Sequence, residues 1–263
     1  MSIRSPSVVS AAMADWLLVE TLGSEPVVVA NGREPKDLVP ISVFLRRSPQ
    51  LSAIQTAIGE TVTSGKSLSS ITPKGNRVIR TEPIQMSDGK VHGVHVWLGP
   101  VDAEPPERPI PGTLIWDLTT GVATDTEQSL RNSGLNPNLE VTHGRAFAED
   151  LPSRDLNPRE TRVLPIAVAA GPGATYCNTW DATDQDGNPI KVVFVVRTAL
   201  EAAEGGPTHL IARAMNWRAD PAEPAVGPTD SAVGVDRTGP GNGMRGSERY
   251  GDDHVEVIDL AVQ

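Results

Sequence analysis

Two Asp-Gly pairs set the frame for this chain. Asp88-Gly89 and Asp186-Gly187 lie 98 residues apart, and each stands between two runs of strand-forming residues. Asp-Gly between such runs is a strong hairpin signal, because the tight turn needs a left-handed backbone that glycine adopts without steric cost. A length of 263 residues exceeds one average domain and suits two modules of about 100 residues each. The equal spacing then reads as two copies of one architecture, repeated in pattern rather than in sequence.

Proline and glycine mark the breaks between them. Residues 101–112 (VDAEPPERPIPG) hold four prolines and no helical or strand period, which predicts a stiff, extended linker. Residues 219–253 are rich in Pro, Gly, Asp and Ser and bury too little apolar surface to offset the entropy of ordering, so a flexible linker is expected. The expected division is an N-terminal tail at 1–12, a module at 13–100, the Pro-rich linker at 101–112, a second module at 113–218, the second linker at 219–253, and an apolar end at 254–263. That end is either an added strand or the start of a third module.

In the first module, residues 15–22 and 26–30 are β-type runs with hairpin-like spacing. Leu51, Ile54, Ile58 and Val62 recur at three- and four-residue intervals, which predicts a helix over 48–64. Ser48-Pro49 provides its start and Gly65 its stop. Residues 77–86 and 91–98 flank the first Asp-Gly turn as paired strands. In the second module, 114–118 is a strand and 126–150 a weakly patterned helical region broken at Gly134 and Pro137. Residues 158–168 are a short helix or a helix-to-strand change. Strands at 174–181, 190–197 and 209–217 complete the module.

Composition narrows the function classes. The net charge is −10, divided as +2 over the first hundred residues and −12 over the rest. A nucleic-acid binder gains by releasing counterions from a basic face, so nucleic acid is a poor partner here. No apolar run approaches the roughly 18 residues of a membrane span, and the first ten residues lack a signal-peptide core. We therefore expect a cytoplasmic protein without a membrane partner. The single cysteine, Cys177, excludes an internal disulfide framework and multi-cysteine metal sites.

Each chemical candidate has a plainer explanation. His92 and His95, three apart on a strand, point to opposite faces unless a bulge intervenes, so one is expected inward and one solvated, with no shared metal. Asp181, Asp184 and Asp186 before Gly187 resemble a calcium loop, but alignment on that glycine puts Ala182 and Val193 where carboxylates are required. A solvated turn accounts for them better. Cys177 reads as a buried structural thiol. Gly171-Pro172-Gly173 and the 239–243 glycines lack the rest of a phosphate loop. No serine-hydrolase elbow or kinase signature is present. Trp16, Trp97, Trp116, Trp180 and Trp217 all fall in or beside strands, as core and interface residues or as walls of a pocket. Arg213 and Asn216 alternate with apolar neighbours and face either a pocket or water.

Two strands, a helical middle and a long hairpin in each module resemble PAS and GAF sensor domains. The tandem resembles an actinobacterial, mainly mycobacterial, group of PAS/GAF proteins of unknown biochemical role. The residues that carry the resemblance are Asp15 to Glu20 and Gly89 to Gly99 in the first module, then Trp116 to Gly121 and Ile211 to Trp217 in the second. The resemblance implies an α+β fold of two PAS/GAF-like modules, each an antiparallel sheet flanked by helices, with a space between sheet and helices for a small ligand. It implies a non-catalytic sensory or regulatory protein with a protein partner, a small-molecule ligand of unknown identity, and a plausible homodimer. No catalytic residue, metal or cofactor is assigned. The alternatives are an interaction scaffold whose pockets are filled by side chains, and a small enzyme with an unrecognised site.

Overall fold

The computed structural model describes residues 13, 15–72, 76–146, 171–202 and 206–219. The first half of this region forms β1 (Leu17–Glu20), β2 (Val27–Asn31), β3 (Glu34–Pro40), α1 (Ile41–Phe44), α2 (Leu51–Ser64), β4 (Leu68–Ile71), β5 (Arg77–Gln85) and β6 (Val91–Pro100). The second half forms β7 (Gly112–Asp117), β8 (Val122–Asp125), α3 (Glu127–Asn132), β9 (His143–Ala146), β10 (Thr175–Thr183), β11 (Pro189–Ala202) and β12 (Thr208–Arg218). Strand order in the first sheet is β3-β2-β1-β6-β5-β4, and in the second β10-β11-β12-β7-β8-β9. Read from the other edge, the second order repeats the first, strand for strand. In each sheet the first and last strands of the module pair at the centre, and every pairing is antiparallel.

Helix α2 lies on the outer face of the first sheet because its apolar stripe has a matching sheet face. Ile54, Ala57 and Ile58 pack on Leu17, Val94 and Val96 with almost no residual exposure. Each such Ile, Leu or Val side chain contributes roughly 1.5–3 kcal/mol of burial free energy. Gly65 ends the helix in the left-handed conformation at φ 63°, as the sequence predicts. The start differs. Gln50 is the N-cap and makes no side-chain cap bond, while Ser48 accepts the Gln50 backbone N–H. Ser48 and Pro49 thus form a turn ahead of the helix.

Helices are fewer than the sequence pattern implied. Among the described residues of 126–150, only α3 is helical. Thr126 caps it by accepting the Ser129 N–H. Gly134 then turns left-handed at φ 84°, and the chain returns as β9 against β8. No 3.6-residue apolar period sustains a longer helix there, so strand pairing prevails. Strands β3, β4, β8 and β9 were not anticipated. The expected elements at 158–168 and the segments 1–12, 219–253 and 254–263 lie outside the described residues, apart from Ala219.

Helix α3 sits directly on the second sheet through one glycine. A Cβ on Gly112 would lie 2.1 Å from the Ser129 backbone nitrogen and 2.3 Å from its Cα. Backbone cannot yield as a side chain does. Gly112→Ala is therefore expected to displace α3 and lower the melting temperature by roughly 5–10 °C in a thermal melt followed by circular dichroism. Gly59→Ala, at an exposed α2 position with nothing within 4 Å, should raise it slightly.

Candidate functional site

The two sheets pack face to face. Leu18, Val29 and Ile84 of the first meet Val193, Val195 and Met215 of the second, with Trp217 fully buried between them. Among these apolar contacts the interface carries charge. Glu20 ends the β1 run Leu-Leu-Val-Glu, and its side chain is 2% exposed. It accepts two hydrogen bonds from Arg197 on β11, from Nε at 2.9 Å and from the terminal guanidinium nitrogen at 3.0 Å. The Leu22 backbone N–H donates to the same carboxylate. This planar fork satisfies both oxygens, which a single ammonium could not do.

A second polar cluster lies along the same interface. Arg213 on β12 donates to both oxygens of Glu201, at 2.8 and 2.7 Å, and pairs with Asp88 of the first Asp-Gly turn at 2.7 Å. Lys90 completes it with a 2.7 Å bond to Glu201. The Arg213 hydrogen bonds, set against partial burial and helped by Lys90, hold the Glu201 carboxyl down at about 2. His92 reaches across from β6. Its Nδ1 is 3.0 Å from the Ala214 carbonyl and its Nε2 3.1 Å from an Arg213 nitrogen. A carbonyl only accepts and a guanidinium only donates, so His92 is the neutral Nδ1–H tautomer. Burial pushes its pKa down to about 4.

His92 and His95 thus depart from the expected one-in, one-out arrangement. The β5–β6 ladder pairs Ile84 with Gly93 and Gln85 with Val91, leaving His92 as an extra, bulged residue. The bulge turns both histidines to the face shared with the second sheet. His95 lies opposite Leu18 and meets the Trp16 ring edge-on at 5.9 Å. Its pKa also falls to about 4 through burial. Among the described residues no three His, Cys, Asp or Glu side chains are grouped to hold a metal.

The other candidates separate by face. Cys177 points to the sheet interface, 3.6 Å from the Lys36 carbonyl, and burial pushes its pKa up to about 12, which favours the thiol over the thiolate. Asp184 accepts the backbone N–H groups of Asp186 and Asn188, and Asp181 pairs with Lys191, as in an ordinary solvated hairpin. Asn216 faces outward under α3, where its amide donates to Ser129 and Ser133 while Asn132 donates back to it. Arg213 faces the interface. Of the tryptophans, Trp16 and Trp97 cluster on the first sheet and Trp217 fills the interface.

Trp116 and Trp180 lie on the outer face of the second sheet, where Phe194 stacks between them at 5.1 and 4.9 Å. Beside this ladder the face is lined by small residues, Ala123, Ala212 and Ala214. It ends in a buried Asp125–Arg145 pair at 3.0 Å, whose carboxylate also accepts from Ser129. The Trp180 indole N–H is buried and has no hydrogen-bond partner. An open, polar cleft of about 300 Å³ adjoins α3, lined by Arg131, Asn136, Asp184, Gln185 and Arg218 among others. The pairing of Glu20 with Arg197 escaped sequence reasoning. Its signal was available: each charge closes an otherwise apolar strand run.

Two family models match the chain: Rv3651-like, N-terminal, over residues 15–107, and Rv3651-like, middle domain, over 110–219. The chain belongs to the Rv3651-like family. A crystal structure of an uncharacterised protein from Mycobacterium tuberculosis shares 66% identity at a TM-score of 0.77. The match covers 80% of this chain and 65% of that one, so this chain spans less than two thirds of its relative. The mycobacterial kinship expected from the sequence is thereby met. A sensory box histidine kinase/response regulator from Burkholderia thailandensis (13% identity, 42% of this chain and 78% of that one) and the E. coli DhaR(N)-DhaL complex (14%, 77% and 78%) match at TM-scores of only 0.29 and 0.27. Such scores carry no weight for fold or function. Comparison with curated proteins finds no match.

Two measurements check the interface. Glu20→Gln leaves Arg197 without its counter-charge and should cost about 3 kcal/mol in urea unfolding, whereas replacing both residues by Met and Leu should cost much less. The histidines give a pH dependence. Folding lowers both pKa values from 6.5 to about 4, so their full contribution to stability is present above pH 6.5 and is lost as pH falls toward 4. The melting temperature should therefore drop between pH 6.5 and 4.5, and the drop should shrink in the His92→Gln/His95→Gln double variant.

Proposed function

We propose that this chain is a non-catalytic sensory or regulatory protein built from two PAS/GAF-like modules, with the buried aromatic cluster on the outer face of the second sheet as its ligand site. The observation that carries the proposal is an asymmetry between otherwise repeated sheets. The outer face of the first sheet is filled by the α2 side chains. The matching face of the second is equally buried, but it carries stacked aromatic rings and alanines in place of aliphatic side chains, together with the unpartnered indole N–H of Trp180. A small planar molecule with an acceptor at its edge, taken up among those buried rings, would stack on them and satisfy that N–H. The ion pairs between the sheets would convert its binding into a change of packing, by favouring one arrangement over another.

The absence of catalysis is part of the proposal. Two of the strongly shifted groups, His92 and Glu201, are already saturated by Ala214, Arg213 and Lys90, so neither is poised for a substrate. A cytoplasmic setting, a protein partner and a homodimer belong to the same proposal, without nucleic acid or a membrane partner. Among the described residues no helix is long and apolar enough to cross a membrane. The second reading, an interaction scaffold with filled modules, is favoured by the packed space between α2 and the first sheet.

Native mass spectrometry of protein purified gently from an actinobacterial host decides between them. The sensor reading expects a stoichiometric extra mass that is lost on denaturation and reduced in Trp180→Phe, which keeps a ring but removes the N–H. An apo mass in both proteins would support the scaffold instead.

A further inference from the structure

The segment between β6 and β7 is more than a spacer. It runs along the first sheet beside Trp16, Val78 and Trp97, with Pro109 and Pro111 buried. Each of its four prolines fixes its own φ and pushes the preceding residue out of the helical region, so 104–111 is extended before it touches anything. Docking it costs little conformational entropy. Its carbonyls, lacking strand partners, are open to side-chain donors.

The first sheet supplies one such donor, and α3 supplies the Asn132 and Gln128 amides to the Ile110 carbonyl. The Trp16 indole N–H donates to the Pro106 carbonyl at 2.9 Å. Arg108 stacks 4.9 Å from the centre of the Trp16 ring and pairs with Glu82. Arg80 lies 5.8 Å over Trp97 and pairs with Glu104 at 3.2 Å. Ala103 packs against the Trp16–Val78–Trp97 cluster. An aromatic groove, an indole N–H aimed at a peptide carbonyl and flanking charges are the parts by which proteins bind proline-rich segments.

We propose that the Trp16–Trp97 face is a recognition groove for proline-rich segments, that residues 101–111 are its ligand in cis, and that a partner's proline-rich segment with the Glu-Pro-Pro-x-Arg spacing of residues 104–108 competes for it. The strap itself defines the occupant's chemistry. Its release is eased at one end, where the Arg80–Glu104 pair is solvated, with Glu104 86% exposed, and screened pairs of that kind hold weakly. Attachment at both ends gives the strap a high effective concentration, so the intact chain keeps the groove mostly closed. The inference does not depend on the ligand face of the second sheet.

The test uses the full chain and a synthetic peptide of residues 101–112. Pro105→Gly, Pro106→Gly and Arg108→Ala together loosen the strap. The loosened variant should bind the peptide at least tenfold more tightly than the unaltered chain, with the Trp16 indole resonance shifting. Adding Trp16→Phe should remove at least tenfold of that affinity. A folded variant that binds no more tightly, or binding indifferent to Trp16→Phe, would overturn the proposal. If the variant does not fold, hydrogen exchange in the unaltered chain decides. The Trp16 indole N–H should show a protection factor at least a hundredfold below that of the Val94 amide. Equal protection would mean that the strap leaves only on global unfolding, and the proposal would fall.

Discussion

The bidentate pair of Glu20 and Arg197 is the contact on which the arrangement of the two sheets turns. A carboxylate as buried as this one is tolerable only where its oxygens are fully satisfied, and the Arg197 fork does so in a single geometry. The apolar surface around it supplies the stability, because Val29, Val195 and Trp217 would pack acceptably in more than one register. What the ion pair adds is a penalty on the others: a shift of one strand position would leave Glu20 and Arg197 buried apart. The Arg213 cluster repeats this logic at the Asp-Gly turn, joining Asp88 of the first module to Glu201 of the second.

That fixed arrangement gives the repeated modules different work. Both sheets spend one face on the interface. The first spends the other face on α2, which leaves aliphatic side chains interlocked on that side. The second keeps its aromatic rings and an idle indole N–H on the corresponding face. On the proposed sensory reading, the first module is the framework and the second the responsive element.

Elements encoded by local signals were legible in the sequence. Both hairpins followed from Asp-Gly between β-forming runs, and α2 from its apolar period and the glycine that stops it. Strands β3, β4, β8 and β9 were not, because they are short, partly exposed and polar. Their β character comes from pairing with a neighbour rather than from composition. The histidine faces were misjudged for a related reason: a bulge is a property of two strands, and only the ladder reveals it. The interface was least legible. Glu20 and Arg197 stand 177 residues apart, and only tertiary packing makes partners of them.

The central claim is that the two sheets form one cooperative unit, held in a single register by buried charge. Scanning calorimetry of the full chain tests it most directly. The account predicts one transition for both sheets, with calorimetric and van't Hoff enthalpies in agreement. Two separable transitions, each melting one sheet, would contradict it.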